Sequence, residues 1–245
     1  MKILGVRLDN INKNQALKKV ADFLDSKNQN KIFTPNPEML VDASCDDYFK
    51  ETLNSSDLNI CDGFGLSLFS GFKLKRITGV DFMLSICELA QKREKSIYLL
   101  GSGSDEVIKK IAEVLQQKFP LLKIVGFDKG PKIKIIGSKL QVIAEENEKI
   151  IYDIIQTAPD ILFVAFGHNK QEKWIVKNLI DLPSVRVAMG VGGAFDFVSG
   201  KISRAPRWMQ KIGLEWVFRL ISEPKRFKRI WKATFVFIYY FLFKK

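Results

Sequence analysis

The chain has 245 residues, 47% of them hydrophobic, with 39 basic and 27 acidic side chains and a formal net charge of +12. That length and apolar content suit one sizeable folded domain and exclude general disorder. Three cysteines without CxxC spacing and a single histidine argue for a reducing cytosol, and against a disulfide framework or a histidine-based metal site.

The opening MKILGVRLDNINKNQ has no apolar stretch long enough for a signal peptide, so a cytoplasmic protein is expected. KILGVRL reads as a strand, residues 15–24 as an amphipathic helix, KIFTPNPE as a strand running into a rigid loop, and residues 39–47 as a helix. The alternation continues with LNICDG, a helix over 80–92, SIYLLGS, a helix over 106–117 and KIVGFD. Then come a helix over 144–156, ILFVAFG, a helix after Asn169, and VRVAMGVGG. This rhythm predicts an α/β fold with a mainly parallel sheet and helices on both faces. Residues 161–166 and 185–191 are apolar throughout, as strands covered on both sides should be. Residues 128–139 read as a surface loop or extra hairpin. Residues 1–200 are expected to form the core and residues 201–245 a separate tail.

Ligands of such sheets bind beyond the carboxyl ends of the strands, which makes polar residues after strand runs the first candidates. In TPNPE, two prolines hold Thr34 and Asn36 extended, with Asn36 either a pocket residue or the N-cap of the next helix. In CDGFG, Asp62 stands beside two glycines, either as a general base or as a cap. GSGSDE is half of a dinucleotide fingerprint without its third glycine, a weak signal for a nicotinamide or flavin oxidoreductase. In FGHNKQEKW, Gln171 comes directly off a strand, whereas His168 reads as a surface histidine without partners. In GVGGAFDF, Gly192 and Gly193 free backbone N–H groups for an anion, and Asp196 is placed to read a base or ribose. There is no D-x-D triplet for a divalent ion, so positive side chains must stabilise a leaving diphosphate.

The tail carries 12 of the 39 basic residues against Glu215 and Glu223 alone, so ten of the twelve net charges lie there. KRFKRIWK precedes ATFVFIYYFLF, an uncharged run about 17 Å long as a helix, too short for a hydrocarbon core of about 30 Å. Attachment to an anionic membrane surface is the favoured reading, and a helix packed into the domain or a dimer interface the alternative. An unbroken apolar run suits nucleic acid poorly. A non-catalytic membrane adaptor explains the charge but not the polar residues at the strand ends.

TPNPE, CDGFG, RITGVD, the FGxxKQE pattern and GVGGAFDFVSGKISRAPRWMQKIGLEWVFRLISEPKRFKR resemble the TagA-like (WecG/TagA/CpsF) family of bacterial glycosyltransferases, over residues 6–229. The resemblance implies an inverting, metal-independent transfer of N-acetylmannosamine or a related hexose. The donor is a UDP-sugar and the acceptor a polyprenyl-diphosphate-linked sugar, in teichoic-acid or cell-surface polysaccharide synthesis, with no cofactor. It also implies a Rossmann-like core and a helical C-terminal appendage that docks on the membrane and completes the active site. With a cytoplasmic chain, that contact is expected on the inner face of the membrane, where attachment and catalysis are coupled if the tail orders over the pocket only at the bilayer. By the same resemblance Asp62 matches the general base, and Thr34 and Asn36 match pocket residues. Gln171 matches a residue near the sugar, Asp196 one near the uridine, and Arg219, Arg226 and Arg229 the arginines that reach the diphosphate. Asn169 stands where the family usually has proline, and His168 where it often has a small or polar residue. Self-association into a homo-oligomer through the core is left open.

Overall fold

The computed structural model describes residues 1–243; Lys244 and Lys245, which close the basic tail, lie outside the described residues. KILGVRL is not one strand. It turns through Leu4 (φ 47°) and Gly5 (φ 79°) into an antiparallel pair, β1 (Lys2–Ile3) and β2 (Val6–Arg7), apart from the main sheet. Asn54 fastens this hairpin by accepting from the Arg7 N–H and donating to the Gly5 carbonyl.

After α1 (Lys13–Asp25) and β3 (Asn30–Phe33), the helix expected over 39–47 is two helices, α2 (Pro37–Ala43) and α3 (Asp47–Asn54). The break has a local cause: Asp46 is extended and its carboxylate caps α3 by accepting from the Phe49 N–H at 3.0 Å. Then follow β4 (Leu58–Asn59), α4 (Phe64–Phe69), α5 (Gly79–Lys92), β5 (Ser96–Gly101), α6 (Asp105–Lys118) and β6 (Lys123–Asp128). A separate hairpin, β7 (Ile133–Ile136) and β8 (Lys139–Val142), occupies the region read as loop or hairpin. The core closes with α7 (Ala144–Thr157), β9 (Ile161–Ala165), α8 (Lys170–Asn178), β10 (Val187–Gly190) and α9 (Ala194–Val198).

Six parallel strands form the sheet in the order β4-β3-β10-β9-β5-β6. Strand side chains alternate between its faces. Tyr98, Leu100, Leu162, Val164 and Ala188 join the apolar cluster under α2, α3, α7 and α8, while Ile97, Leu99, Ile161, Phe163 and Met189 join the one under α1, α5 and α6. The expected mainly parallel, doubly covered sheet is therefore present.

The C-terminal residues form α10 (Arg207–Lys211), α11 (Glu215–Ser222), α12 (Phe227–Trp231), a π-helical turn (Lys232–Val236) and α13 (Phe237–Phe243). Phe237 is buried in the first cluster, its ring 5.5 Å from that of Phe69 on α4. The tail is thus folded against the core, and no helix among the described residues is long and apolar enough to cross a membrane.

Candidate active site

The carboxyl ends of β3, β4, β5, β9 and β10 open on one side of the sheet, and two clefts meet there. The first, about 470 Å³, is polar. It is lined by Thr34, Asp62, Ser102, Gln171, Gly192, Gly193 and Asp196, among others. The second, about 450 Å³, runs beneath the C-terminal helices and is lined by Phe64, Leu68, Phe69, Trp216, Ile230, Ala233, Phe237 and Ile238. Asn36, Asp62, Gly79, Val80, Phe197, Arg219, Arg226 and Arg229 border both.

Asn36 does cap α2, its side chain accepting from the Met39 N–H at 3.0 Å, with Pro37 in the first turn where no N–H is lost. It borders the clefts from that position. Asp62 is not a cap of α4, which begins after Gly63 without a side-chain cap. Its Oδ2 instead accepts from the backbone N–H of Gly79 at 3.1 Å. Enclosure by protein pushes its pKa up to about 6, against the pull of the Gly79 hydrogen bond and of Arg76. The fit around Gly79 is close, since a Cβ there would lie 3.1 Å from Asp62 Oδ2 and press on that carboxylate.

Gln171 is buried and acts on the glycine turn. Its Oε1 accepts from the Gly192 N–H at 2.9 Å and its Nε2 donates to Glu172 at 2.8 Å. A Cβ on Gly190 would lie 2.8 Å from Gln171 Nε2, so strand end and amide are in direct contact. Asp196 lies on α9 at the rim, 3.6 Å from Lys201. GSGSDE forms a tight turn in which Gly101, Ser102 and Gly103 all have positive φ, and it lines the far end of the polar cleft.

The three tail arginines differ. Arg219 has no acidic partner within ion-pair distance among the described residues; its guanidinium lies 4.4 Å over the Phe197 ring, and burial lowers its pKa. Arg226 pairs with Glu223 at 2.8 Å and Arg229 with Glu38 at 2.9 Å. Lys232 pairs with Asp42 at 2.7 Å, so three of the five basic residues between Lys225 and Lys232 have carboxylate partners. Two further pairs, Arg76–Glu215 at 2.9 Å and Asp81–Arg204 at 2.6 Å, tie the RITGVD segment to the same C-terminal region.

The reading of His168 as partnerless is corrected. Its Nε2 lies 2.9 Å from Asp42 and 3.8 Å from Glu38, and its Nδ1 lies 3.3 Å from Arg229 Nη2. Glu38, Asp42 and His168 could offer ligand atoms within 4.8 Å of one another, yet both carboxylates already receive cationic side chains. Sequence reasoning missed Glu38 and Asp42; their spacing of four on α2 was visible, but nothing local assigns them partners 190 residues away. Asn169 adopts φ 70°, which a proline ring forbids, so this loop has a backbone that the family's usual proline could not take.

A parallel sheet flanked by helices, with such clefts beyond its strand ends, is the architecture of a Rossmann-like enzyme. The chain belongs to the glycosyl transferase WecG/TagA/CpsF family, whose model matches residues 1–245, and is accordingly a glycosyltransferase. It is 35% identical over 213 residues to the N-acetylglucosaminyldiphosphoundecaprenol N-acetyl-beta-D-mannosaminyltransferase of Bacillus subtilis (strain 168), covering 85% of this chain and 77% of that protein. The identically named proteins of Bacillus spizizenii (strain ATCC 23059 / NRRL B-14472 / W23) and Staphylococcus aureus (strain MW2) are 31% and 29% identical. Those matches cover 85% and 97% of this chain, and 77% and 90% of theirs. Family membership sets aside the oxidoreductase and adaptor alternatives.

Proposed function

We propose that the chain moves N-acetylmannosamine, or a related hexose, from a UDP donor to a polyprenyl-diphosphate-linked N-acetylglucosamine, inverting the anomeric centre, in synthesis of a cell-surface polymer. The observation that carries this reading is the position of Asp62 in the wall shared by a polar and an apolar cleft. The printed names of the relatives, which specify such a donor sugar and acceptor, support it.

In this reading the UDP-sugar occupies the polar cleft, with its diphosphate near Gly192, Gly193 and Arg219 and its nucleoside toward Asp196. The acceptor enters through the apolar cleft, its first isoprene units against Ile230, Ala233 and Phe237. Thr34, Asn36 and Gln171 shape the sugar pocket between them. Asp62 takes the proton of the acceptor hydroxyl as that oxygen bonds to the anomeric carbon, and the bond from that carbon to UDP breaks with its electron pair leaving on UDP. A carboxylate of pKa about 6 is a stronger proton acceptor than an ordinary one and is still mostly ionised at neutral pH. Arg219, Arg226 and Arg229 meet the growing negative charge, so the scheme calls for no metal ion or other cofactor.

Residues 201–245 act in this reading as the appendage of a core formed by residues 1–200, placed on the cytoplasmic face of the membrane. Phe227, Trp231, Phe235, Tyr239 and Phe243 repeat every four residues and are all exposed, an apolar stripe beside Lys225 and Lys228. Aromatic and basic residues so placed suit an anionic bilayer surface.

The test is UDP release by the full chain in vesicles, offering UDP-N-acetylmannosamine, UDP-N-acetylglucosamine and UDP-glucose with a polyprenyl-diphosphate-N-acetylglucosamine. Acceptor-dependent release from UDP-N-acetylmannosamine is expected. No release from any donor, together with no effect of UDP on the melting temperature, would overturn the reading.

A further inference from the structure

Arg229 is gripped from two sides. Its Nε lies 3.0 and 3.2 Å from the Glu38 oxygens, and its Nη2 donates to Glu38 Oε2 at 2.9 Å. The same Nη2 reaches His168 Nδ1 at 3.3 Å. A guanidinium has five N–H groups. These contacts engage three, leaving the two on Nη1 without a partner among the described residues, in a side chain that borders both clefts.

His168 is oriented in turn. Its Nε2 lies 2.9 Å from Asp42 Oδ2, and Asp42 Oδ1 accepts from Lys232 at 2.7 Å. An ionised carboxylate only accepts, so Nε2 carries the proton, and in the neutral ring Nδ1 is then free to accept from Arg229.

We propose that Glu38 is a positioning residue which, with neutral His168, fixes the Arg229 guanidinium so that its Nη1 edge alone is presented to the diphosphate. This rests on the reading of Arg229 as a diphosphate ligand given above. Glu38 does not touch substrate; it acts through Arg229. Protonated His168 would place an N–H against an N–H donor and loosen the grip. The groups facing the imidazole are Glu38 and Asp42 from α2, Glu172 from α8 and Arg229 from α12, with Lys232 on the far side of Asp42. Burial lowers its pKa, but Asp42, Glu38 and Glu172 outweigh burial and raise it. The loosening therefore belongs to the acid side of a titration lying above the ordinary histidine value.

A double-mutant cycle on Glu38→Gln and Arg229→Ala tests this, with UDP release from vesicles followed over UDP-sugar concentration at saturating acceptor. Each single change should lower kcat/KM for the UDP-sugar by about tenfold or more, and the double variant should be no worse than Arg229→Ala. Lys232→Ala breaks the neighbouring ion pair without touching Arg229 and should cost less than about twofold. The wild-type kcat/KM for the UDP-sugar should fall more steeply with falling pH than that of His168→Gln, which keeps Asp62 but has no imidazole to protonate. Multiplying losses in the double variant, or equal losses in Glu38→Gln and Lys232→Ala, would overturn the proposal by showing that Glu38 merely docks the tail. An unimpaired Arg229→Ala would instead overturn the reading of Arg229 itself.

Discussion

Asp62 Oδ2 accepts the backbone N–H of Gly79 at 3.1 Å, which sets the carboxylate against the first turn of α5. One oxygen is thereby fixed, and Oδ1 has no hydrogen-bond partner among the described residues at the junction of the two clefts. The acid is oriented by a strand end and a helix start that lie 17 residues apart in sequence.

Replacing Asp62 by Asn preserves this hydrogen bond but removes the proton acceptor. Turnover should fall about 10²-fold or more, with little change in UDP binding measured by thermal shift. In the wild type, kcat should decline as pH falls through about 6, because the base must be ionised to act. A kcat independent of pH between 5 and 8 would remove Asp62 from the role.

The same substitution should raise stability at neutral pH. An acid whose folded pKa is raised from 3.8 to about 6 costs stability in its ionised form. The cost is fully present above the folded pKa and relieved as pH falls toward the unfolded one. With solvent in the clefts discounted, it is on the order of 2 kcal/mol. Asp62→Asn should therefore melt higher than the wild type at pH 8, and the difference should shrink at pH 5.

Gly190→Ala tests the amide that supports the glycine turn. The added methyl would lie 2.8 Å from Gln171 Nε2, and Gln171 cannot withdraw without releasing the Gly192 N–H. A stability loss of about 1–3 kcal/mol is expected from the overpacking. The rise in melting temperature produced by UDP should also shrink, which calorimetry with and without UDP would show.

The exposed aromatic stripe should act on membranes and not on folding. Phe235→Ser with Phe243→Ser removes two rings that are 59% and 73% exposed. Partitioning onto anionic vesicles in a sedimentation assay should drop about tenfold or more, each buried aromatic being worth roughly 1.5–3 kcal/mol. The melting temperature in solution should hardly move.

Much of this was legible in the chain. Apolar runs such as ILFVA and VAMG marked buried parallel strands because both faces of those strands are covered, and the glycines and polar residues after them marked the open end of the sheet. Thr34, Asn36, Asp62, Gln171, Gly192, Gly193 and Asp196 were all singled out by that rule, and they line one cleft. The hairpin at β1 and β2 and the break between α2 and α3 were not found. Each depends on one or two residues, Gly5 and Asp46, that interrupt an otherwise consistent pattern.

The tail divides along the same line. Its sequence determined that a cationic, aromatic segment too short to span a bilayer follows an α/β core, because charge and hydropathy are sums over neighbouring residues. Only the tertiary structure decided that Arg229 and Lys232 face Glu38 and Asp42, that Phe237 is buried beside Phe69, and that Arg219 lies over the Phe197 ring. Pairings across nearly two hundred residues arise when the π-helical turn Lys232–Val236 and α13 pack against α2, and no local property of either segment encodes which carboxylate meets which cation.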